Sequence, residues 1–197
     1  MTLNITKIKE LVALYFPDLE TKEIDIFLSI CKYGKSKNKE IIFQKGRSDN
    51  SLLLLLKGSA RAYQIKKTGN EITNHLRSEG HIFGEALVFS SEPQMLDIEA
   101  IGEVHFLKFD VYELEQLALK NEKLMQFYLG FLKEVILTFS HRINTFVSMS
   151  PKQRYLDLIR WNPKYLKSTF DKHIASFLGV TPLTIHRIKK FKQKHIK

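Results

Sequence analysis

The side chains of this sequence with most scope for chemistry are its histidines, carboxylates and arginines, and their spacing sorts them into two groups. His75, His81, Glu85 and His105 are the residue types that hold a divalent metal, and His81-x-x-x-Glu85 has a workable ligand spacing. No paired His-x-His anchors them, because position 73 is Thr and position 77 is Arg. A cupin-type metalloenzyme using His75, His81 and Glu85 therefore stands as the alternative reading, and the expectation is a non-enzyme with no cofactor and no metal. The single cysteine, Cys31, excludes an internal disulfide and any cluster that needs several thiolates.

The second group lies between Asp171 and Lys190. Ala175 is small where two helices would cross, and Gly179 supplies the left-handed residue of a tight turn. Ile174, Leu178, Val180, Ile185 and Ile188 supply the apolar positions that hold such helices together, Thr181 is suited to cap the second, and Pro182 to open it. This spacing predicts a helix-turn-helix whose second helix enters the major groove of double-stranded DNA. The expected DNA-contacting residues are Lys172, Thr181, Pro182, Leu183, Thr184, His186, Arg187, Lys189 and Lys190. Arg187 suits bidentate contact to a guanine, whereas Thr181, Lys172, Lys189, Lys190, Lys192 and Lys194 suit phosphates. His173 and His186 read as exposed histidines beside DNA.

Charge agrees with that placement. Residues 150–197 carry 12 Lys and Arg against two acids, Asp157 and Asp171, and account for the whole formal charge of +10; residues 1–149 are neutral. A basic unit on a neutral body fits a polyanionic partner.

The elements that must position these residues follow from periodicity. Residues 1–32 read as two short helices, broken at Pro17. From 33 to 109, β-rich runs (Glu40–Phe43, Leu52–Leu56, Ala60–Ile65, Ile72–Leu76, Leu87–Phe89, Leu96–Ile101 and Val104–Phe109) alternate with turn clusters, as in a β-sandwich or barrel. Asp110 and Glu113 have capping-box spacing for a helix over 111–119, followed by a longer one over 122–148. That helix carries the stripe Leu124, Tyr128, Phe131, Val135, Phe139, Ile143 and Phe146, with Phe127, Leu132, Ile136 and Leu137 on a second. A helix apolar on two faces needs two covers, so the expected second cover is another copy of the chain. Arg154, Tyr155, Leu156, Leu158 and Ile159 form an amphipathic helix behind the helix-turn-helix, ended by Trp161-Asn162-Pro163. The longest apolar run, Leu11–Phe16, is too short to span a membrane, and no secretory signal opens the chain, so a cytoplasmic location without membrane contact is expected.

In this order of parts the chain resembles the CRP/FNR family of transcription regulators, in its Bacteroidetes-type short form. Gly46, Gly58, Gly69, Gly80 and Phe83-Gly84-Glu85 match that family's effector-domain pattern, and Ile174-Ala175, Leu178-Gly179 and Thr184-Ile185-His186-Arg187 match its DNA-binding motif. The resemblance implies an α+β fold: a jelly-roll barrel of the cyclic-nucleotide-binding type with N-terminal helices (1–119), a dimerisation helix (120–149) and a winged helix-turn-helix domain (150–197). It implies a homodimer, double-stranded DNA as partner, and a small-molecule effector pocket at Phe83, Gly84, Glu85, Ala86, Gln94 and Met95. Only Asn162–Phe170 is available for a wing, so any hairpin there is rudimentary. Two departures narrow the expectation. The family's nucleotide-binding members follow the glutamate with an arginine for the cyclic phosphate, whereas Glu92-Pro93-Gln94-Met95-Leu96-Asp97 holds no basic residue, so cyclic AMP is not the expected effector. Leu183 stands where the family usually has a base-reading glutamate. A DNA binder of architectural type, independent of any effector, remains a further alternative.

Overall fold

The computed structural model describes the whole chain except Met1, Ser48, 86–92, Asn162, Lys164, 166–168 and 195–197; for 191–194 it describes the backbone alone. Apolar periodicity builds the first two helices. α1 (Ile5–Tyr15) starts where the Asn4 side chain accepts from the Lys7 N–H at 2.8 Å, and it buries Ile8 and Val12. α2 (Thr21–Ser29) buries Ile24 and Phe27. Just beyond, Cys31 directs its thiol at the Phe27 carbonyl (3.2 Å), and burial pushes its pKa up, so it behaves as a packed side chain.

Six strands follow among the described residues: β1 (Lys32–Ser36), β2 (Ile41–Phe43), β3 (Ser51–Ile65), β4 (Glu71–Ser78), β5 (Ile82–Phe83) and β6 (Asp97–Asp110). They form one antiparallel sheet in the order β1-β6-β3-β4, with β2 added to β6 and β5 to β3, curled in the manner of a jelly roll. The uninterrupted run Leu52–Leu56 is wholly buried because both faces of β3 are covered. Leu52, Leu54 and Leu56 meet Phe27 and Phe109 under the helices; Leu53 and Leu55 meet Phe43, Phe83 and Val104 inside the barrel.

Two expected pairs of short strands are in fact single long ones. β3 unites Leu52–Leu56 with Ala60–Ile65, and β6 takes in Asp97–Ile101 together with Val104–Phe109. Each bends at a glycine instead of ending there. At Gly58 φ is +89° and a Cβ would lie 2.4 Å from the Glu103 carbonyl oxygen, so only glycine lets β3 cross β6 where their register shifts. The expected strand Leu87–Phe89 lies outside the described residues.

α3 (Val111–Ala118) starts at Asp110, whose carboxylate accepts from the N–H groups of Tyr112 and Glu113 at 2.8 and 3.3 Å. Asn121 likewise accepts from the Leu124 N–H at 3.1 Å and opens α4 (Glu122–Ser148). The first half of α4 buries Leu124, Phe127, Phe131 and Val135 in one core with α1, α2 and the sheet. Three residues of the expected seam are thus taken up by the chain's own core. Tyr128 is half-buried, with its hydroxyl donating to Glu115 at 2.5 Å, while Phe139, Ile143 and Phe146 stay exposed.

Three helices close the described chain: α5 (Pro151–Trp161), α6 (Asp171–Phe177) and α7 (Pro182–Lys194). Leu76 and Ile101 of the sheet share a core with Tyr155, Leu158, Ile174, Leu178 and Ile185. The Ser176 hydroxyl accepts from the Thr73 N–H (2.9 Å) and donates to the Glu71 carbonyl (3.0 Å), so α6 docks on the outer edge of β4. The segment expected to carry a wing, Asn162–Phe170, falls partly outside the described residues. Among those described, no helix is long and apolar enough to cross a membrane.

Candidate nucleic-acid interface and effector pocket

The turn between α6 and α7 is fixed by local chemistry. The Val180 N–H reaches back to the Ala175 carbonyl at 2.9 Å across Gly179, whose φ is +65°. A Cβ at Gly179 would also lie 2.8 Å from Phe146 Cε1, so the end of α4 rests directly on the turn. Thr181 Oγ1 accepts from the Thr184 N–H at 3.2 Å and pairs with the Thr184 hydroxyl at 3.0 Å, capping α7. Ile174, Ala175, Leu178 and Ile185 are buried between the helices.

With Ile185 turned inward, Leu183, His186, Arg187 and Lys190 project from the outer flank of α7; Thr181, Pro182 and Lys172 are exposed beside its N-terminal end. Thr184 is half-buried. Lys189 differs from the other lysines, because its ammonium is ion-paired with Asp171 and ties α7 to α6. His173 departs from expectation: it is buried, not exposed. Docking of α6 on β4 places it near Arg61 and Glu71, and its pKa is lowered to about 4 by burial, then by Arg61 and Lys172, with Glu71 opposing. The side chains of Lys192 and Lys194 lie outside what the structure describes.

The second site is a cavity of about 240 Å³ inside the barrel. Phe83, Gly84, Glu85, Gln94 and Met95 all line it, with Asn74, His75 and Phe139; Ala86 lies outside the described residues. Its walls explain what Glu85 does. Arg77 on β4 reaches Glu85 through two hydrogen bonds, Nη2 to Oε1 at 2.7 Å and Nη1 to Oε2 at 3.1 Å, and also donates to the Ile82 carbonyl. Burial disfavours the Glu85 charge, but Arg77, with His75 behind it, outweighs that and holds the carboxyl below the usual range. His75 lies 3.9 Å from Glu85 and is lowered to about 4 by burial, with Arg77 and Arg142 acting the same way and Glu85 against it. Gln94 is buried, and among the described residues neither its Oε1 nor Asn74 Oδ1 has a hydrogen-bond partner.

The sequence pattern places a phosphate-binding cation within Glu92–Asp97 and gives Arg77 no role at this cavity. A signal was present: Thr73, His75 and Arg77 recur with period two, and the register sets His75 and Arg77 opposite Ala62 and Ala60, leaving room for long polar side chains. The metal-type residues are dispersed. His105 is held by the Tyr33 hydroxyl (2.5 Å) and Glu103 (2.9 Å), while His81 faces Glu134 at 3.8 Å; no group of three metal-ligating side chains forms among the described residues.

Residues 35–121 match the Cyclic nucleotide-binding domain family. By sequence alone, no curated protein matches the chain. Among solved structures it is similar to FixK2 from Bradyrhizobium japonicum, with TM-score 0.69 and 16% identity over 84% of this chain and 85% of that one. It is similar also to the c-di-GMP-responsive global regulator CLP of Xanthomonas campestris, with TM-score 0.68 and 15% identity over 89% and 92%. A mutant of CooA from Carboxydothermus hydrogenoformans gives 0.67 and 16% over 85% and 78%. At such identities what is shared is the fold: a barrel whose residues 35–121 are similar to the Cyclic nucleotide-binding domain family, a long helix, and C-terminal helices.

Proposed function

We propose that this protein is a cytoplasmic, homodimeric transcription regulator of the CRP/FNR type that reads specific DNA sites with α7 and is not an enzyme. The observation that carries the reading is the geometry of α6 and α7. The buried set Ile174, Ala175, Leu178 and Ile185 locks the two helices, and the opposite flank leaves Leu183, His186, Arg187 and Lys190 free to enter a major groove. Arg187 reads a base, and Lys172 and Lys190 hold phosphates; Lys189 serves the fold through Asp171. The dimer forms along α4, where Leu129, Leu132, Ile136, Phe139, Ile143 and Phe146 recur at alternating steps of three and four, five of them exposed and Leu132 partly so.

The barrel cavity binds an effector that is not a cyclic nucleotide. Arg77 is committed to both oxygens of Glu85, and Gln94 and Met95 offer a cyclic phosphate no cation. The unpartnered Gln94 Oε1 and Asn74 Oδ1 suit a small uncharged molecule that brings donors. The test is a binding titration on a selected site and on scrambled duplexes. Arg187→Ala is expected to lose about 1–3 kcal/mol of discrimination at one base position in each half-site. Lys190→Ala is expected to weaken all duplexes alike and reduce the salt slope by about 1. Equal binding to selected and scrambled DNA by the unaltered protein overturns the reading.

A further inference from the structure

A larger cavity, about 380 Å³, lies outside both sites described above. β4, α4, α5 and α6 line it, open on the side of Leu137 and Trp161, and its volume falls in the range of small-molecule pockets, roughly 300–1,000 Å³. It continues the buried face of α4. That face carries Phe131 and Val135 in the barrel core, then turns polar one turn later, where Thr138, Arg142 and Thr145 line the cavity instead of filling it. The heptad residues Ile136, Phe139 and Ile143 belong to other faces of α4, so a partner helix on the seam leaves this cavity within one chain.

Its polar groups are unbalanced. Arg142 from α4 and Arg154 from α5 converge on the Phe146 ring, at 4.7 and 4.8 Å from its centroid. Among the described residues neither forms an ion pair. Arg142 spends one nitrogen on the Phe177 carbonyl at 2.7 Å, and Arg154 Nε is buried with no hydrogen-bond partner. The nearby acids are committed elsewhere: Asp157 to His141 at 2.8 Å, Glu85 to Arg77, and Glu134 faces His81. Burial and the neighbouring Arg154 together lower the Arg142 pKa to about 10, the mark of two cations short of an anion. Leu76, Leu137, Leu158 and Trp161 supply apolar wall beside them.

We propose that this cavity binds a small carboxylate with an apolar body, the carboxylate held between Arg142 and Arg154 and the body lying against Leu137, Leu158 and Trp161. A carboxylate there satisfies the orphaned donor and cancels the repulsion between the guanidinium groups. Because the site touches the sheet, the dimer helix and α6 together, its occupant fixes the helix-turn-helix against the barrel. That consequence rests on the regulator reading, whereas binding itself does not.

The experiment is calorimetric titration of the full chain with octanoate, octanamide and inorganic phosphate, repeated on Arg154→Gln and Arg154→Lys. Saturable octanoate binding is expected, at least tenfold tighter than that of octanamide or phosphate. Arg154→Gln should weaken it tenfold or more, and Arg154→Lys should restore part of it. Absence of octanoate binding, equal binding of octanamide, equal binding of phosphate, or indifference to Arg154→Gln each overturns the proposal. Should Arg154→Gln fail to fold, the octanoate–octanamide comparison on the unaltered chain still decides. Octanoate binding without any specific DNA binding would retain the site and reject the regulator.

Discussion

At the residue scale, the pair that decides what the barrel can hold is Arg77 and Glu85. Both side chains are buried, and each satisfies the other through a double hydrogen bond. Removing one partner leaves the other charge stranded, which costs more than the pair itself contributes. Arg77→Leu is expected to destabilise the protein by about 3–5 kcal/mol in urea denaturation. The double variant Arg77→Leu with Glu85→Leu should recover most of that loss. A single variant within 0.5 kcal/mol of the unaltered protein, on the order expected for a surface change, would show that the pair does not hold the site. The turn between α6 and α7 was readable because it is a local pattern: Ala175, Gly179 and Thr181 do in the structure what their spacing foretells. Arg77 was not, because its partner is chosen by how β4 lies against β3 and where the chain returns at β5. Burial of His173 was hidden for the same reason, since nothing in residues 171–190 reports that β4 covers that side of α6.

At the element scale, two features carry predictions. The first is the acid sensitivity of the α6–β4 contact and the barrel wall. His173 and His75 both have folded-state pKa values near 4, below the value of about 6.5 for a free histidine. Between those values the unfolded chain takes up protons that the folded chain refuses, so stability falls as pH drops from about 6.5 to about 4. The slope is at most about 1.4 kcal/mol per pH unit for each histidine. Denaturation of His75→Gln/His173→Gln across that window is expected to give a flatter profile than the unaltered protein, and an identical slope would contradict the assignment. The second feature is the seam of α4. Ile143, 65% exposed, lies in a row of exposed apolar side chains with Ile136, Phe139 and Phe146, and a contiguous patch of that kind suits an interaction surface. Ile143→Asp is expected to give monomers in sedimentation velocity and to weaken DNA binding, while the barrel core at Leu124 and Phe131 stays intact. Unchanged dimers would refute this seam. The starts of α3 and α7 were legible from their caps, Asp110 and Thr181. The long strands were not, because a glycine inside a bent strand, as at Gly58, leaves the same mark as a glycine ending one.

At the scale of the whole molecule, α4 is the part that touches everything else. Its first half completes the barrel core, Phe139 lines the barrel cavity, Phe146 rests on the turn between α6 and α7, and Arg142 holds the Phe177 carbonyl at the end of α6. These packed contacts join the barrel to the C-terminal helices through one element, α4. The charge distribution follows the same order: the neutral first 149 residues hold the N-terminal helices, the barrel and α4, and the +10 resides in the 48 residues after them. The central claim is that two copies of α7 read DNA in a fixed spatial relation. In-vitro selection of binding sites from random duplexes by the full-length protein tests it directly. The account predicts enrichment of a near-palindromic sequence with half-sites about 10 base pairs, or one helical turn, apart. Recovery of unenriched sequences, or of a single half-site without its mate, would contradict it.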